Sequence, residues 1–187
     1  MKVIIGSDHG GFSLKEILRV HLIDQSYDVV DVGTFSKDAC DYPDIVTKFG
    51  QEFPEKSDYK GILLCGSGQG VCIMANRMEG MRAVLCRTPD DAHMSRRHND
   101  ANVCCLGGRV TSSEEAIKIV DIFLTEHFMG GRHARRVAKI DSYLGSVPWT
   151  STPIGIFTVM SVVALSAFAY ELVLKEKLYA FFKSLFM

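Results

Sequence analysis

The sequence lacks an excess of charge of either sign, paired cysteine motifs and an N-terminal signal-peptide pattern. Its 21 basic and 22 acidic residues leave a formal net charge of -1, which argues against a nucleic-acid-binding protein. None of the six cysteines falls in a CxxC pair or has the spacing of zinc ligands. Without a signal peptide, free thiols in a reducing cytosol are the expected state of these cysteines.

The first three quarters of the chain alternate regularly between short apolar runs and amphipathic segments. The 187 residues suit one domain with an adequate core and room for an appendage. Strands are predicted over residues 2–6, 27–32, 61–65, 82–86 and 102–107. Helices are predicted over residues 13–23, 44–53, 69–78, 89–97, 111–127 and 132–143. This order predicts an α/β fold with a doubly wound parallel five-stranded sheet covered on both faces.

Cys65 ends the third predicted strand, and the glycine-rich run Gly66-Ser67-Gly68-Gln69-Gly70 follows it directly. Ligands bind in the crevice outside the carboxyl ends of parallel strands, so a side chain at this place faces a substrate. Glycines let backbone N–H groups approach a phosphate or a developing oxyanion, and the next helix adds its positive end. Cys65 is therefore a candidate acid/base or nucleophile, the alternative being a buried strand-end cysteine.

Other polar side chains gather at the ends of the neighbouring strands. Asp8 and His9 follow the first strand, and Tyr42 lies in the loop after the second. Topology places all three with Cys65 around one crevice. Taken singly, Asp8 could cap the next helix, His9 could be a solvated loop residue, and Tyr42 could belong to a turn. Their shared location favours a functional site.

Two later polar clusters fit the same chemistry. The run from residue 96 to residue 102 is densely polar directly before an apolar strand; the alternative is a turn at Asn99 and Asp100 with His98 capping the helix end. In the last predicted helix, Arg132 and Arg136 are i,i+4 neighbours, so both guanidinium groups project from one face. They could clamp a phosphate or form a solvated basic face.

Six motifs in register make residues 1 to about 143 resemble the type B ribose-5-phosphate isomerases and their galactose-6-phosphate isomerase relatives. The motifs are GSDHGG from Gly6, DYP from Asp41, CGSGQG from Cys65, SRRHNDAN from Ser95, GGR from Gly107 and GRHARRV from Gly131. The resemblance implies a Rossmann-like fold and an isomerase that uses no metal or other cofactor. It also implies a homodimer or a dimer of dimers whose active sites combine residues of two subunits.

The resemblance further implies residue roles in interconverting ribose 5-phosphate and ribulose 5-phosphate through a cis-enediolate, a step of the pentose phosphate pathway. Cys65 would move the carbon-bound proton, Ser67 would help to transfer protons between the two oxygens, and the amides of residues 66–70 would stabilise the enediolate. His98, assisted by Asp8, would open the sugar ring. The remaining predicted contacts hold the hydroxyls, through Tyr42 and Asn99, and the phosphate, through His9, Arg109, Arg132 and Arg136.

Two other functions stay open at this point. One is isomerisation of a six-carbon sugar phosphate, such as galactose or allose 6-phosphate; the other is a non-catalytic sugar-phosphate-binding module, tethered to a membrane as a sensor. An intact Cys65, Ser67 and His98 favours an enzyme, because a binding module needs no thiol aimed at the substrate. Some members of the family carry a glutamate five positions after Gly70; Ala75 stands there in this chain, which indicates the cysteine type.

Residues 144–187 are a predicted apolar C-terminal extension that the resemblance does not cover, with the domain boundary after residue 143. No charged residue occurs from 142 to 170. A helix over residues 154–174 would rise about 31 Å, near the thickness of a bilayer core, with Trp149 and Tyr170 as interfacial aromatics. We expect a cytoplasmic catalytic domain whose extension is a membrane anchor, a helix buried in a subunit interface, or a stretch that is not native coding sequence.

Overall fold

The computed structural model describes residues 1–53 and 59–146 of the chain. The chain divides into two units, Met1–Asp141 and Ser142–Met187, and the fold set out here is that of the first. The predicted membrane anchor lies outside the described residues. Within those residues, no helix is long and apolar enough to cross a bilayer. The predicted boundary after residue 143 stays a prediction.

Strands and helices alternate along the described chain in the predicted order. The strands are β1 (Lys2–Ser7), β2 (Asp28–Asp31), β3 (Lys60–Cys65), β4 (Ala83–Leu85) and β5 (Val103–Gly107). The helices are α1 (Phe12–Asp24), α2 (Tyr42–Glu52), α3 (Gln69–Ala75), α4 (Pro89–Asn99), α5 (Ser113–Thr125) and α6 (Arg132–Ser146). Each predicted strand and helix is present, with ends that differ by a few residues.

The five strands form one parallel sheet in the order β2-β1-β3-β5-β4. This confirms the predicted fold class. The pairing aligns Ser7 of β1 with Leu64 of β3, and Cys65 of β3 with Gly107 of β5. The carboxyl ends of the three central strands therefore lie side by side, which is where an open parallel sheet binds its ligands.

Alternate residues of the central strands face opposite helix layers. Ile5 and Leu64 pack in one core with α1 and α5, while Ile4 and Leu63 pack in a second core with α2 and α3. All four side chains are fully buried, each contributing about 1.5–3 kcal/mol to the free energy of folding. Cys65 belongs to the second core, so its side chain lies on the α2 and α3 side of the sheet.

Two helix starts show how local chemistry sets the element boundaries. Tyr42 and Pro43, predicted in a loop, form the first turn of α2 after the extended N-cap residue Asp41. Proline fits there because the N–H it lacks would have no partner in the first turn. At α5 the Ser112 hydroxyl accepts the Glu115 N–H at 3.2 Å and so caps the first turn of the helix.

A buried ion pair supports the end of β1 that leads into the polar loop. Lys15 is completely buried, and its Nζ donates to Asp31 Oδ2 and, at 2.7 Å, to Glu16 Oε1. Asp31 Oδ1 accepts the N–H of Gly33 at 2.9 Å. The Gly33 carbonyl in turn accepts the N–H of Ser7, the last residue of β1, at 2.6 Å. The pair thus connects the core to the segment before the candidate site.

Replacing Lys15 with methionine is expected to lower the free energy of unfolding by about 3–5 kcal/mol, because Asp31 loses its buried cation. Urea denaturation of the variant measures the change. Glu16→Gln is the matched control, since Glu16 is 35% exposed and its ion pair contributes about 0–1 kcal/mol. Equal stability of Lys15→Met and the wild type would contradict a stabilising role for the pair.

Candidate active site

The turn after β3 brings a backbone N–H onto the Cys65 sulfur. The Gly68 N–H donates to Cys65 Sγ at 3.1 Å, and the Cys65 side chain is 5% exposed. Gly68 has φ +77°, a conformation that L side chains rarely adopt, and a Cβ there would lie 2.6 Å from Leu85 Cδ1. Glycine at this position therefore lets the amide reach the sulfur.

The loop after β1 packs directly against this turn. Asp8 Oδ1 accepts the N–H groups of Gly10 at 2.8 Å and Gly11 at 3.1 Å. A Cβ on Gly10 would lie 2.9 Å from the Gly66 nitrogen. Asp8 thus organises its own loop through Oδ1 and is not the N-cap of α1, which is Gly11. The same loop contacts the glycine turn beside Cys65.

Tyr42 and Arg109 also lie against the turn. A Cβ on Gly70 would be 2.8 Å from the ring carbon Cζ of Tyr42, and one on Gly66 would be 3.5 Å from Cδ, Nε and Nη1 of Arg109. The Arg109 N–H donates to the Gly66 carbonyl at 3.1 Å. The structure therefore brings together a first group, which we call the Cys65 cluster: Asp8, Tyr42, Cys65, Arg109 and the turn 66–70.

Two more predicted residues are His9, which adjoins this cluster along the chain, and Ser67, which lies within its turn. His9 Nδ1 lies 3.3 Å from the Cys40 nitrogen and 3.2 Å from the Cys40 oxygen, so the ring tautomer decides whether it accepts or donates. Ser67 is exposed, and its hydroxyl accepts the Gln69 N–H at 3.5 Å. Ser67 is thus part of the turn itself, and His9 belongs to the loop whose Gly10 packs against Gly66.

His98 lies in a second group, built by α4 and α6. Its ring stacks on the ring of His133, with 4.3 Å between centroids and 3° between planes. Arg132 Nε donates to His133 Nε2 at 3.4 Å. We call His98, Arg132, His133 and Arg136 the His98 cluster.

The surroundings of the His133 ring favour its neutral form. Burial lowers its pKa, and nearby His98, Arg132 and Arg136 lower it further. With Arg132 donating to Nε2, the neutral ring carries its proton on Nδ1. His133 was not among the predicted site residues, because its contact with His98 joins two helices far apart in sequence.

Part of the polar run before β5 serves the fold rather than the site. Arg96 is buried, and its Nη1 donates to Asp100 Oδ1 at 2.8 Å and to the Ala101 carbonyl at 2.6 Å. Asp100 closes α4 with φ 45°. These contacts fit the turn alternative, which leaves His98 and the exposed Asn99 as the site candidates of this run.

The two clusters are separate within one chain. Among residues 1–53 and 59–146, no hydrogen bond, ion pair or ring contact joins the Cys65 cluster to the His98 cluster. Asp8 and His98, which sequence reasoning paired, fall in different clusters. Arg109 likewise lies with Cys65, whereas Arg132 and Arg136 lie with His98.

The described part of the chain contains no group of three or more His, Cys, Asp or Glu residues arranged to hold a metal ion.

Comparison with known proteins identifies close relatives over the described fold. The family model for Ribose/Galactose Isomerase matches residues 3–140. Ribose-5-phosphate isomerase B of Escherichia coli is 42% identical over 139 residues, which are 74% of this chain and 93% of that protein. The structure of the Clostridium thermocellum ribose-5-phosphate isomerase B gives a TM-score of 0.76 at 43% identity, covering 79% of this chain and 100% of that one. For the Mycoplasma genitalium enzyme with bound ribulose-5-phosphate, the TM-score is 0.75 at 42% identity, with 78% and 97% covered.

Proposed function

Because the chain belongs to the ribose/galactose isomerase family, we propose that it interconverts ribose 5-phosphate and ribulose 5-phosphate. The observation that carries the proposal is the Cys65 thiol at the carboxyl end of β3, with the Gly68 N–H 3.1 Å from its sulfur. A relative of 42% identity is described with ribulose-5-phosphate bound. The site offers what an aldose-ketose isomerase needs, a proton carrier beside backbone donors.

In the proposed reaction Cys65 carries a proton between two carbons. Its thiolate takes the proton from C2 of the open-chain aldose, and the electrons move onto the carbonyl oxygen to form a cis-enediolate. The thiol then returns a proton to C1, which leaves the ketose. The Gly68 N–H donates to sulfur while it is ionised, a charge-assisted hydrogen bond. The Ser67 hydroxyl, exposed beside the thiol, moves the proton between the two substrate oxygens.

The amides and side chains around the turn hold the rest of the substrate. Backbone N–H groups of Gly66 and Gly70 face the negative charge that develops on oxygen, and Tyr42 holds a hydroxyl from its place over Gly70. Arg109, across Gly66, and His9 contact the phosphate. These contacts are the part of the proposed site that one chain supplies.

A second copy of the chain supplies the other part of the proposed site. The His98 cluster holds a ring-opening histidine and two arginines for the phosphate, yet within the described residues no hydrogen bond or ring contact joins it to Cys65. A homodimer, or a dimer of dimers, that places the His98 cluster of one subunit against the Cys65 cluster of another completes the set. His98 then opens the ring with assistance from the other subunit's Asp8, and Asn99 holds a hydroxyl. The stacked His133 ring keeps the His98 ring in place.

A substrate assay of the purified full-length chain tests the proposed function. Ribose 5-phosphate, galactose 6-phosphate and allose 6-phosphate are compared for ketose formation, with Cys65→Ala as the blank. The proposal expects the highest kcat/KM for ribose 5-phosphate. Turnover of only a six-carbon sugar phosphate would show that this sugar, and not ribose 5-phosphate, is the substrate. Tight binding of all three sugars without turnover would indicate a binding module.

We also propose a cytoplasmic catalytic domain, residues 1–143, and a membrane anchor within residues 144–187. This proposal rests on the sequence, which has no charged residue from 142 to 170. Alkaline carbonate extraction tests it, because spanning helices stay in the membrane pellet and peripheral proteins are released. The full chain is expected in the pellet and a chain ending at residue 143 in the supernatant. Release of the full chain into the supernatant would contradict the proposed membrane anchor.

A further inference from the structure

One face of α6 carries three residues spaced four apart: His133, Val137 and Asp141. His133 is buried and stacks on the His98 ring of α4, and Val137 is buried as well. The Asp141 side chain is half-exposed, and its two carboxylate oxygens accept from Arg82 Nη1 at 3.0 and 3.2 Å. Because residues at i, i+4 and i+8 share a helix face, α6 is packed or paired at three successive turns.

Arg82, which lies directly before β4, is itself held by several contacts. Its Nε donates to the Asp100 carbonyl at 3.0 Å, and its Nη2 donates to Asp100 Oδ2 at 3.1 Å. The other oxygen of that carboxylate accepts from Arg96 of α4 at 2.8 Å. The four side chains Arg96, Asp100, Arg82 and Asp141 thus form a row of alternating charges from α4 to α6, which we call the charge row.

The chain enters α6 through two glycines that leave its direction open. The Met129 N–H donates to the Arg97 carbonyl at 3.1 Å, which ties the segment before them to α4. Gly130 and Gly131 have φ +64° and +55°, and a Cβ on either would meet no atom of the described residues within 4 Å. Packing at the glycines therefore does not fix the helix axis, and contacts farther along α6 must do so.

The axis of α6 determines where Arg132 and Arg136 lie. Each arginine comes one residue before a buried residue of the helix, so both lie about 100° around α6 from the packed face. Both are exposed. Asp141 is five residues beyond Arg136, about 7.5 Å along the axis. A pivot of α6 about the two glycines would therefore displace both guanidinium groups together.

We propose that Arg82 and Asp141 are positioning residues for the substrate phosphate. Their ion pair fixes the direction of α6 and thereby the place of Arg132 and Arg136, while neither Arg82 nor Asp141 contacts the substrate. Arg82 suits this role because its planar fork binds Asp100 and Asp141 through separate nitrogens. The inference rests on the proposed function and adds to it two residues that act through the phosphate arginines.

Asp141→Ala in the full-length protein tests the proposal. We expect KM for ribose 5-phosphate to rise about 3–10-fold and kcat to stay within about twofold, because phosphate contacts act alike in the ground and transition states. The inhibition constant of inorganic phosphate, a competitive inhibitor, should rise by the same factor. Asp141→Glu, which keeps a carboxylate for Arg82, should restore most of both constants.

Asp121→Ala is the matched control for this experiment. Asp121 is 47% exposed and pairs with His21 at 2.7 Å, whereas Asp141 is 49% exposed in its pair with Arg82. The control therefore removes a similarly exposed ion pair, but on α5 and not on α6. It should leave KM and the inhibition constant of phosphate at their wild-type values.

Combined variants show whether Asp141 acts through the arginines. In a chain that already carries Arg132→Ala and Arg136→Ala, the further change Asp141→Ala should not raise KM, because the groups that it places are gone. A full additional increase in that background would overturn the proposal. Equal KM and phosphate inhibition in Asp141→Ala and the wild type would overturn it as well.

Calorimetry with inorganic phosphate separates this inference from the proposed isomerisation. If the wild type bound phosphate without converting ribose 5-phosphate, the isomerase would be excluded, whereas weaker phosphate binding by Asp141→Ala than by Asp121→Ala would support the positioning role. A wild type that neither binds phosphate nor converts the sugar would overturn both proposals. A lower melting temperature of Asp141→Ala with unchanged phosphate binding would assign the ion pair to stability alone and overturn the positioning role.

Discussion

Cys65→Ala is expected to lower kcat by about 10²–10⁴-fold, the usual contribution of a positioned proton carrier. Binding of ribose 5-phosphate should change by no more than a few-fold, because the thiol is proposed to contact a carbon-bound proton and not the phosphate. Cys65→Ser should be nearly as inactive, since a hydroxyl stays protonated near pH 7. Steady-state kinetics measure kcat, and calorimetry with the inactive variant measures binding of the substrate.

A second buried cysteine gives the control for this experiment. Cys104 is fully buried and faces the other core, so Cys104→Ala leaves the proposed proton carrier in place. It is expected to lose stability rather than kcat. Full activity in Cys65→Ala would exclude this cysteine as the base. If substrate binding were lost together with activity, Cys65 would instead have a structural role in maintaining the conformation of the turn.

Much of the fold follows from the sequence because its signals are local. Apolar runs of strand length alternate with amphipathic segments, and this order alone specifies a parallel sheet with helices on both faces. The ends of the elements depend on tertiary contacts. Thus α3 ends at Ala75 and not at residue 78, because the Asn76 side chain pairs with the backbone of Ala83, accepting its N–H at 3.0 Å and donating to its carbonyl at 2.8 Å.

The candidate site follows from the sequence only in part. The placement of Asp8, Tyr42 and Cys65 together could be predicted, because parallel strands bring their carboxyl ends to one edge. Motif spacing along the chain did not indicate that His98 would lie apart from Asp8; only the resemblance, which implied sites shared between two subunits, pointed to such a separation. The burial of Lys15 could not be predicted from the sequence either, because a lysine in an amphipathic helix is ordinarily solvent-exposed.

Mixing two inactive variants is expected to restore about a quarter of the wild-type activity if subunits share their active sites. Cys65→Ala removes the proposed base from one cluster, and His98→Ala removes the ring-opening histidine from the other. Random exchange puts about half of the subunits into mixed dimers, each with one intact site and one doubly damaged site. Ribose 5-phosphate turnover after co-refolding of the two variants measures the recovery.

Wild-type protein exchanged against an excess of the double variant Cys65→Ala/His98→Ala gives the opposite expectation. Every wild-type subunit then pairs with a copy that lacks both groups, so each of its two sites misses either the base or the histidine. Activity should fall toward zero as the excess grows. If each chain held a complete site, the mixture of Cys65→Ala and His98→Ala would stay inactive. The mixture of wild type and double variant would keep the activity of its wild-type share, because subunit exchange would not alter the groups around Cys65. That pair of results would place the His98 cluster and the Cys65 cluster of one chain in the same site.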